Sequence, residues 1–246
     1  MKVSELNGVK IYDLSSGKSV PECLEEAKKR KVKLKQLEEY ANRIDLIQDL
    51  DYPTASQRLR VTDDNRYIIT TGVYPSRVKI FETGELSMKC ERGMDAEVIQ
   101  FQALTSDYSK LAFLCADRNI ELHAQYGRHF KIRVPKFGRD MIYNPYSCDL
   151  LTVGASNEVY RLNLDLGRFQ SPFETSSTEL TCIDLSPELN TVAVGGIDGT
   201  VEFWETAQRK SAFVLSPKIN GEEITCVKFE PGTLNFCVGT EKGKVI

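Results

Sequence analysis

The chain has 246 residues, is 41% apolar and carries a formal net charge of −3. This suits one sizeable β domain and excludes a polyelectrolyte that seeks nucleic acid along its whole length. Seven cysteines, an odd number with no CxxC pair, argue against a disulfide framework or a Cys-type zinc site and fit a reducing compartment. The first twenty residues are too polar for a signal peptide, and no apolar run approaches the length of a membrane span.

Residues 8–14, GVKIYDL, read as a strand, with Val9, Ile11 and Tyr12 in the places that Val78, Ile80 and Phe81 hold later. An insertion over 15–42 comes next and turns helical from Ser19 to about Asn42. Ser19 with Glu22 forms a capping box, and Pro21 suits a first turn. Leu34, Leu37, Ala41 and Ile44 give a narrow apolar stripe expected to pack on the β structure. The expected middle of this helix is basic: Lys28, Lys29, Arg30, Lys31, Lys33 and Lys35. Such a run suits a nuclear import receptor or nucleic-acid phosphates, and equally a solvated helix face. Residues 43–50 then read as an outer strand.

From residue 51 onward one strand keeps returning, anchored at Val78, Ile120, Val159, Val201 and Val245, at steps of 42, 39, 42 and 44 residues. Before each anchor lies an apolar run ending at Gly72, Ala116, Gly154, Gly196 or Gly239. A third column, Leu59, Ile99, Met141, Ile183 and Val227, has the same period. Self-similarity at this spacing is the signature of a β-propeller with one four-stranded blade per repeat. Four full blades are expected within 51–216, with strands near 57–62, 66–72, 77–83 and 86–91; 97–104, 110–116, 119–125 and 129–134; 139–144, 149–154, 157–164 and 168–173; and 180–186, 190–196, 200–206 and 211–215. A fifth opens at 224–230 and 234–239. Cys182 and Cys226 occupy matched places and read as small buried residues. The fold class is therefore all-β: a WD-repeat-like propeller, four complete blades plus partial ones, with a helical insertion near the N-terminus. The recurring strand is interrupted at Ile246, so the chain is expected to be part of a longer protein with a seven-bladed ring. The GVKIYDL strand, lacking strands of its own before it, and residues 43–50 are expected to complete a last blade whose other strands come from beyond residue 246.

Catalytic motifs do not emerge. No G-x-S-x-G, Walker A or G-x-G-x-x-G occurs. His123 and His129 fall on adjacent strands with no further ligand at metal spacing. No cofactor, metal, membrane or small-molecule substrate is expected, and a binding platform is the positive reading. One loop stands out. RVPKFGRD, residues 133–140, sets Arg133, Lys136 and Arg139 around Phe137, with Pro135 and Gly138 fixing its path. It suits a base and phosphate or an acidic peptide, unless Phe137 fills core between blades. Antiparallel blades bring it to the same side as the turns of Arg77 and Arg118.

The segments GVKIYDLSSGKSVPECL, RIDLIQD, ITTGVYPSRVKIFE, RVPKFGRD and SNEVYRLNLDLGRFQSPF together resemble the N-terminal propeller of the nucleolar protein 10 family, the essential nuclear protein of fungi. The resemblance implies a nucleolar WD-repeat component of the small-subunit processome, a non-catalytic assembly factor in pre-rRNA processing. Its implied partners are pre-ribosomal assembly proteins, pre-rRNA and a small nucleolar RNA, with further blades and a charged tail beyond this chain. The repeats depart from the standard WD pattern: Trp204-Glu205 stands where Trp-Asp would, and no Gly-His pair is present. Two other classes compete: a generic WD-repeat adaptor in another nuclear or cytosolic complex, and an enzyme built on a propeller.

Overall fold

The structure is a computed structural model that describes residues 2–6, 9–13, 18, 20–33, 37, 40, 45–46, 52–84, 87–186, 190–206, 210–215, 221–230 and 235–246. The chain forms two compact units, Met1–Met94 and Asp95–Ile246.

In the first unit, β1 (Lys2–Leu6), β2 (Val9–Asp13) and β3 (Asp45–Leu46) form an antiparallel sheet in that order. The β2 strand therefore has a partner before it in the chain, contrary to expectation, with Leu6 opposite Val9. Asn7-Gly8 between them is a strong short-range hairpin signal in the sequence. Helix α1 runs only Val20–Arg30, shorter than the apolar stripe suggested. It stops because Lys31 takes a left-handed φ of 53°, while Val32 N donates to Ala27 O at 3.1 Å and Lys31 N to Lys28 O at 3.4 Å. These are the two crossed bonds of a Schellman cap. Cys23 and Ala27, four apart, form the buried face. Ser19, Leu34, Ala41 and Ile44 lie outside the described residues. The unit's second sheet is β4 (Ala55–Val61), β5 (Tyr67–Val73), β6 (Arg77–Glu82) and β7 (Ser87–Gly93), each strand beside the next.

The second unit repeats that sheet three times. Its blades are β8 (Val98–Ala103), β9 (Leu111–Cys115), β10 (Asn119–Ala124) and β11 (Gly127–Arg133); β12 (Gly138–Asn144), β13 (Asp149–Gly154), β14 (Glu158–Asn163) and β15 (Arg168–Glu174); and β16 (Leu180–Ser186), β17 (Thr191–Gly196), β18 (Val201–Glu205) and β19 (Lys210–Leu215). A pair, β20 (Ile224–Phe229) and β21 (Phe236–Thr240), comes last. All pairings are antiparallel between consecutive strands, as a propeller blade requires.

Every first strand carries the same bulge. Its register shifts between Ser56 and Arg58, Val98 and Gln100, Gly138 and Asp140, Leu180 and Cys182, and Ile224 and Cys226. The extra residue re-aims the remainder of the strand. It also corrects one column: Phe101, paired with Phe113, is the counterpart of Met141, and Ile99 is the residue the bulge leaves over. Phe101, Met141, Ile183 and Val227 are buried, whereas Leu59 is 65% exposed on a strand open along most of its length. Val78, Ile120, Val159 and Val201 are fully buried, while Val245 is exposed and held by a bridge to Gly239. Cys182 is buried against Ile224. Cys226 is exposed, contrary to its reading as core, since no described strand does for it what β20 does for Cys182.

Neighbouring blades of this unit are tied by carboxylates rather than by a His–Asp pair. Asp140 accepts from Gln100 Nε2 at 2.9 Å, from Met141 N at 2.8 Å and from Ile183 N at 3.1 Å, so one side chain links three blades. Asp184 repeats the device toward Phe229 N at 2.9 Å and Lys228 Nζ at 2.6 Å. Trp204 stacks on Phe173 of the preceding blade with centroids 5.0 Å apart, and its Nε1 donates to Glu202 at 3.2 Å. Arg161 covers Phe173 at 4.7 Å and pairs with buried Asp149 at 2.7 Å.

Candidate interaction surface

Within the second unit, the second-to-third-strand turns and the loops between blades gather at one end of the strands. The first-to-second and third-to-fourth turns gather at the other. At the first end a main-chain bond recurs. Ala116 N donates to Glu97 O at 2.8 Å, Ala155 N to Phe137 O at 3.0 Å, Ile197 N to Glu179 O at 3.1 Å and Glu241 N to Glu223 O at 3.0 Å. These four acceptors are equivalent positions, so Phe137 stands where three other repeats place glutamate.

The loop around Phe137 is held by its backbone. Val134 is buried and its N–H donates to Arg118 O at 2.7 Å. Arg118 Nη2 donates to Val134 O at 3.2 Å and to Pro135 O. Gly154 is obligatory beside it, because a Cβ there would stand 1.9 Å from Phe137 O. None of these hydrogen bonds uses the Phe137 side chain. The residue is 56% exposed, with the Arg118 guanidinium 5.4 Å from its ring centroid. The alternative that Phe137 fills core is thereby removed.

The cations divide. Arg118 is committed to the loop carbonyls. Arg139, the bulged residue of β12, pairs with Glu179 at 2.6 Å. Lys136 and Arg133 are exposed and form no ion pair among the described residues. Arg77 belongs to the first unit, where it pairs with Glu91 at 2.7 Å. The wall beside the loop is balanced: Lys131 lies 3.1 Å from both Asp117 and buried Glu121, and Arg128 pairs with Asp95. Hydrogen bonding from Arg128 holds the Asp95 carboxyl below its ordinary range.

The basic run of the first unit is exposed at Lys28, Lys29, Arg30, Lys31 and Lys33; Lys35 lies outside the described residues. The structure moves it from the middle of a helix to its end. Lys28, Lys29 and Arg30 form the last turn of α1, where cations complement the helix dipole, and Arg30 pairs with Glu26.

At the other end of the strands, between the β8–β11 and β12–β15 blades, lies a cavity of about 490 Å³ lined by Leu104, Leu122, Tyr143, Leu164, Lys110 and Asp165 among others. Spacing alone did not reveal it, because it forms between blades. His123 and His129 border it, but His123 faces Glu121 at 3.2 Å and His129 faces Tyr126 at 2.5 Å. Among the described residues no three His, Cys, Asp or Glu side chains converge as a metal site would need.

Four-stranded antiparallel blades, joined in sequence by short loops and tied by carboxylates, define this chain as a β-propeller. The chain belongs to the nucleolar protein 10 family: the family model described as nucleolar protein 10-like, N-terminal domain, matches residues 2–246. Nucleolar protein 10 of Homo sapiens is 44% identical over 256 residues, covering 100% of this chain and 37% of that protein. Nucleolar protein 10 of Xenopus tropicalis is 43% identical, with coverage of 100% and 37%. Ribosome biogenesis protein ENP2 of Saccharomyces cerevisiae is 35% identical over 250 residues, covering 99% of this chain and 35% of that protein. The chain thus spans little more than a third of the length of these relatives.

Proposed function

We propose that the chain is the N-terminal propeller of a non-catalytic assembly factor in ribosome biogenesis, acting in the nucleolus on the small-subunit side. The observation that carries this reading is similarity along the whole chain to proteins named for the nucleolus and for ribosome biogenesis. The architecture supports it. Rigid blades present loops at both ends of their strands, and such loops are where recognition resides. Partners on this reading are pre-ribosomal assembly proteins together with pre-rRNA or a small nucleolar RNA, within the small-subunit processome. The exposed lysines of α1 serve nuclear entry or RNA contact.

Affinity purification of the intact protein, with sequencing of bound RNA and mass spectrometry of bound protein, tests the reading. Small-subunit precursors and their assembly proteins are the expected catch. Recovery of an unrelated complex with no pre-rRNA overturns it in favour of a general adaptor. Alanine at Lys28, Lys29, Arg30 and Lys31 tests the basic run. With any other import signal removed, a reporter is expected to stay cytoplasmic, and unchanged nuclear accumulation reduces the run to a helix terminus.

A further inference from the structure

The one aromatic in the column of Glu97, Glu179 and Glu223 is 56% exposed, with the Arg118 guanidinium beside its ring. Its loop is fixed by main-chain bonds at Val134 and Phe137, by Arg118 on two carbonyls, and by the absence of a Cβ at Gly154. A residue more than half exposed on a loop fixed by so many bonds costs solvation and returns little beyond the Arg118 contact. The residues beside it reverse the local charge: Lys136 precedes it, Arg133 lies three residues further back, and Arg139 pairs with the neighbouring Glu179.

From this placement we infer that Phe137, Lys136 and Arg133 form a contact site for single-stranded nucleic acid. One base stacks on the Phe137 ring, and Lys136 and Arg133 meet flanking phosphates. An acidic peptide is the poorer fit. Its carboxylates would meet Lys136 and Arg133 but leave the exposed ring unused. A base uses both features: every base has a π-face for the ring, and every nucleotide a phosphate for the cations. The Arg118 guanidinium beside the ring adds a positive charge to the stack. With glutamates at the equivalent positions of the flanking repeats, the site takes a short segment of one or two nucleotides rather than a long tract. It deepens the reading above, which calls for RNA among the partners, but it is tested without a ribosomal particle.

The test uses the purified intact protein and a fluorescein-labelled single-stranded oligouridylate of about ten nucleotides, read by anisotropy across a salt titration. Ultraviolet cross-linking to the 4-thiouridine form maps the contact. The expected adduct lies in residues 134–138. Phe137→Ala weakens binding about tenfold at every salt concentration, and Phe137→Tyr, which keeps the ring, restores it. Lys136→Ala lowers the salt slope by about 0.7. Lys110→Ala, at the other end of the strands, leaves binding unchanged. Three results overturn the inference: wild-type affinity in Phe137→Ala, weak binding in both Phe137 variants, or adducts confined elsewhere. Polyglutamate that binds more tightly than the oligonucleotide and ignores Phe137→Ala makes the loop a protein-docking site instead. Failure of the proposed function in the purification experiment leaves this measurement standing, and the converse holds too.

Discussion

Two loops at the same end of the same unit share their main-chain closure and differ in what their side chains do. Residues 134–137 and 175–179 each join an outer strand to the first strand of the next blade. The second loop shares the main-chain bonds of the first, Thr175 N to Asn157 O at 2.9 Å and Ile197 N to Glu179 O at 3.1 Å, and adds its side chains to them. Thr175 Oγ1 donates to Asn157 O at 2.7 Å, and Ser177, buried, bonds Asp198 and Thr200 at 2.6 Å each. Ser176 N donates at 2.6 Å to the buried carboxylate of Glu202, which Ser176 Oγ also reaches. The first loop is held by its backbone and by one arginine from a neighbouring turn. Its own side chains from Pro135 to Phe137 face solvent. A propeller needs only the closure. Where side chains reinforce the closure they are spent, and where the main chain and Arg118 suffice they remain available for recognition.

The comparison can be broken by substitution, and the sizes should rank. Ile183→Asp sets the scale. It places an unpaired charge among Leu185, Val192 and Val194, and should cost roughly 3 kcal/mol or more in denaturant unfolding. Gly154→Ala comes next. The atom it meets is the Phe137 carbonyl, which cannot rotate away, and a loss of about 2–3 kcal/mol is expected in the same measurement. Glu202→Ala strands the donors of Ser176 and Trp204 and should cost about 2 kcal/mol, with a changed tryptophan emission as its signature. Ser177→Ala should cost about 1 kcal/mol. Phe137→Ala, the matching change in the other loop, should stay within about 0.5 kcal/mol of the parent, because only an exposed contact with Arg118 is lost. If Phe137→Ala costs more than Ser177→Ala, the contrast between the loops fails.

The blades were legible because the period of the fold is the period of the sequence: Val78, Ile120, Val159 and Val201 announce the third strand of each repeat and all are buried. The features that spacing missed have local causes. A bulge of one residue exchanged Phe101 for Ile99, since a column of apolar residues does not register where the ladder skips. The end of α1 was hidden because Lys31, not glycine, takes the left-handed cap. The loop site was half legible. Residue types pointed to Arg133, Lys136, Phe137 and Arg139, but only geometry separates an arginine bonded to carbonyls or to Glu179 from a lysine left outside. The reading of Cys182 as inert core also rests on geometry, as burial pushes its thiol up to about 12. Cys182 should resist alkylation at pH 8 until the protein unfolds.

The most direct measurement gives residue 137 the glutamate found at the equivalent positions of the other repeats. Phe137→Glu keeps the Ala155–Phe137 main-chain bond, which belongs to the backbone, and places a side chain that Glu97, Glu179 and Glu223 show the site accepts. The account predicts an unchanged unfolding midpoint and loss of oligonucleotide binding and cross-linking at residues 134–138. A lowered midpoint with binding intact would show that Phe137 serves the fold, and would contradict it.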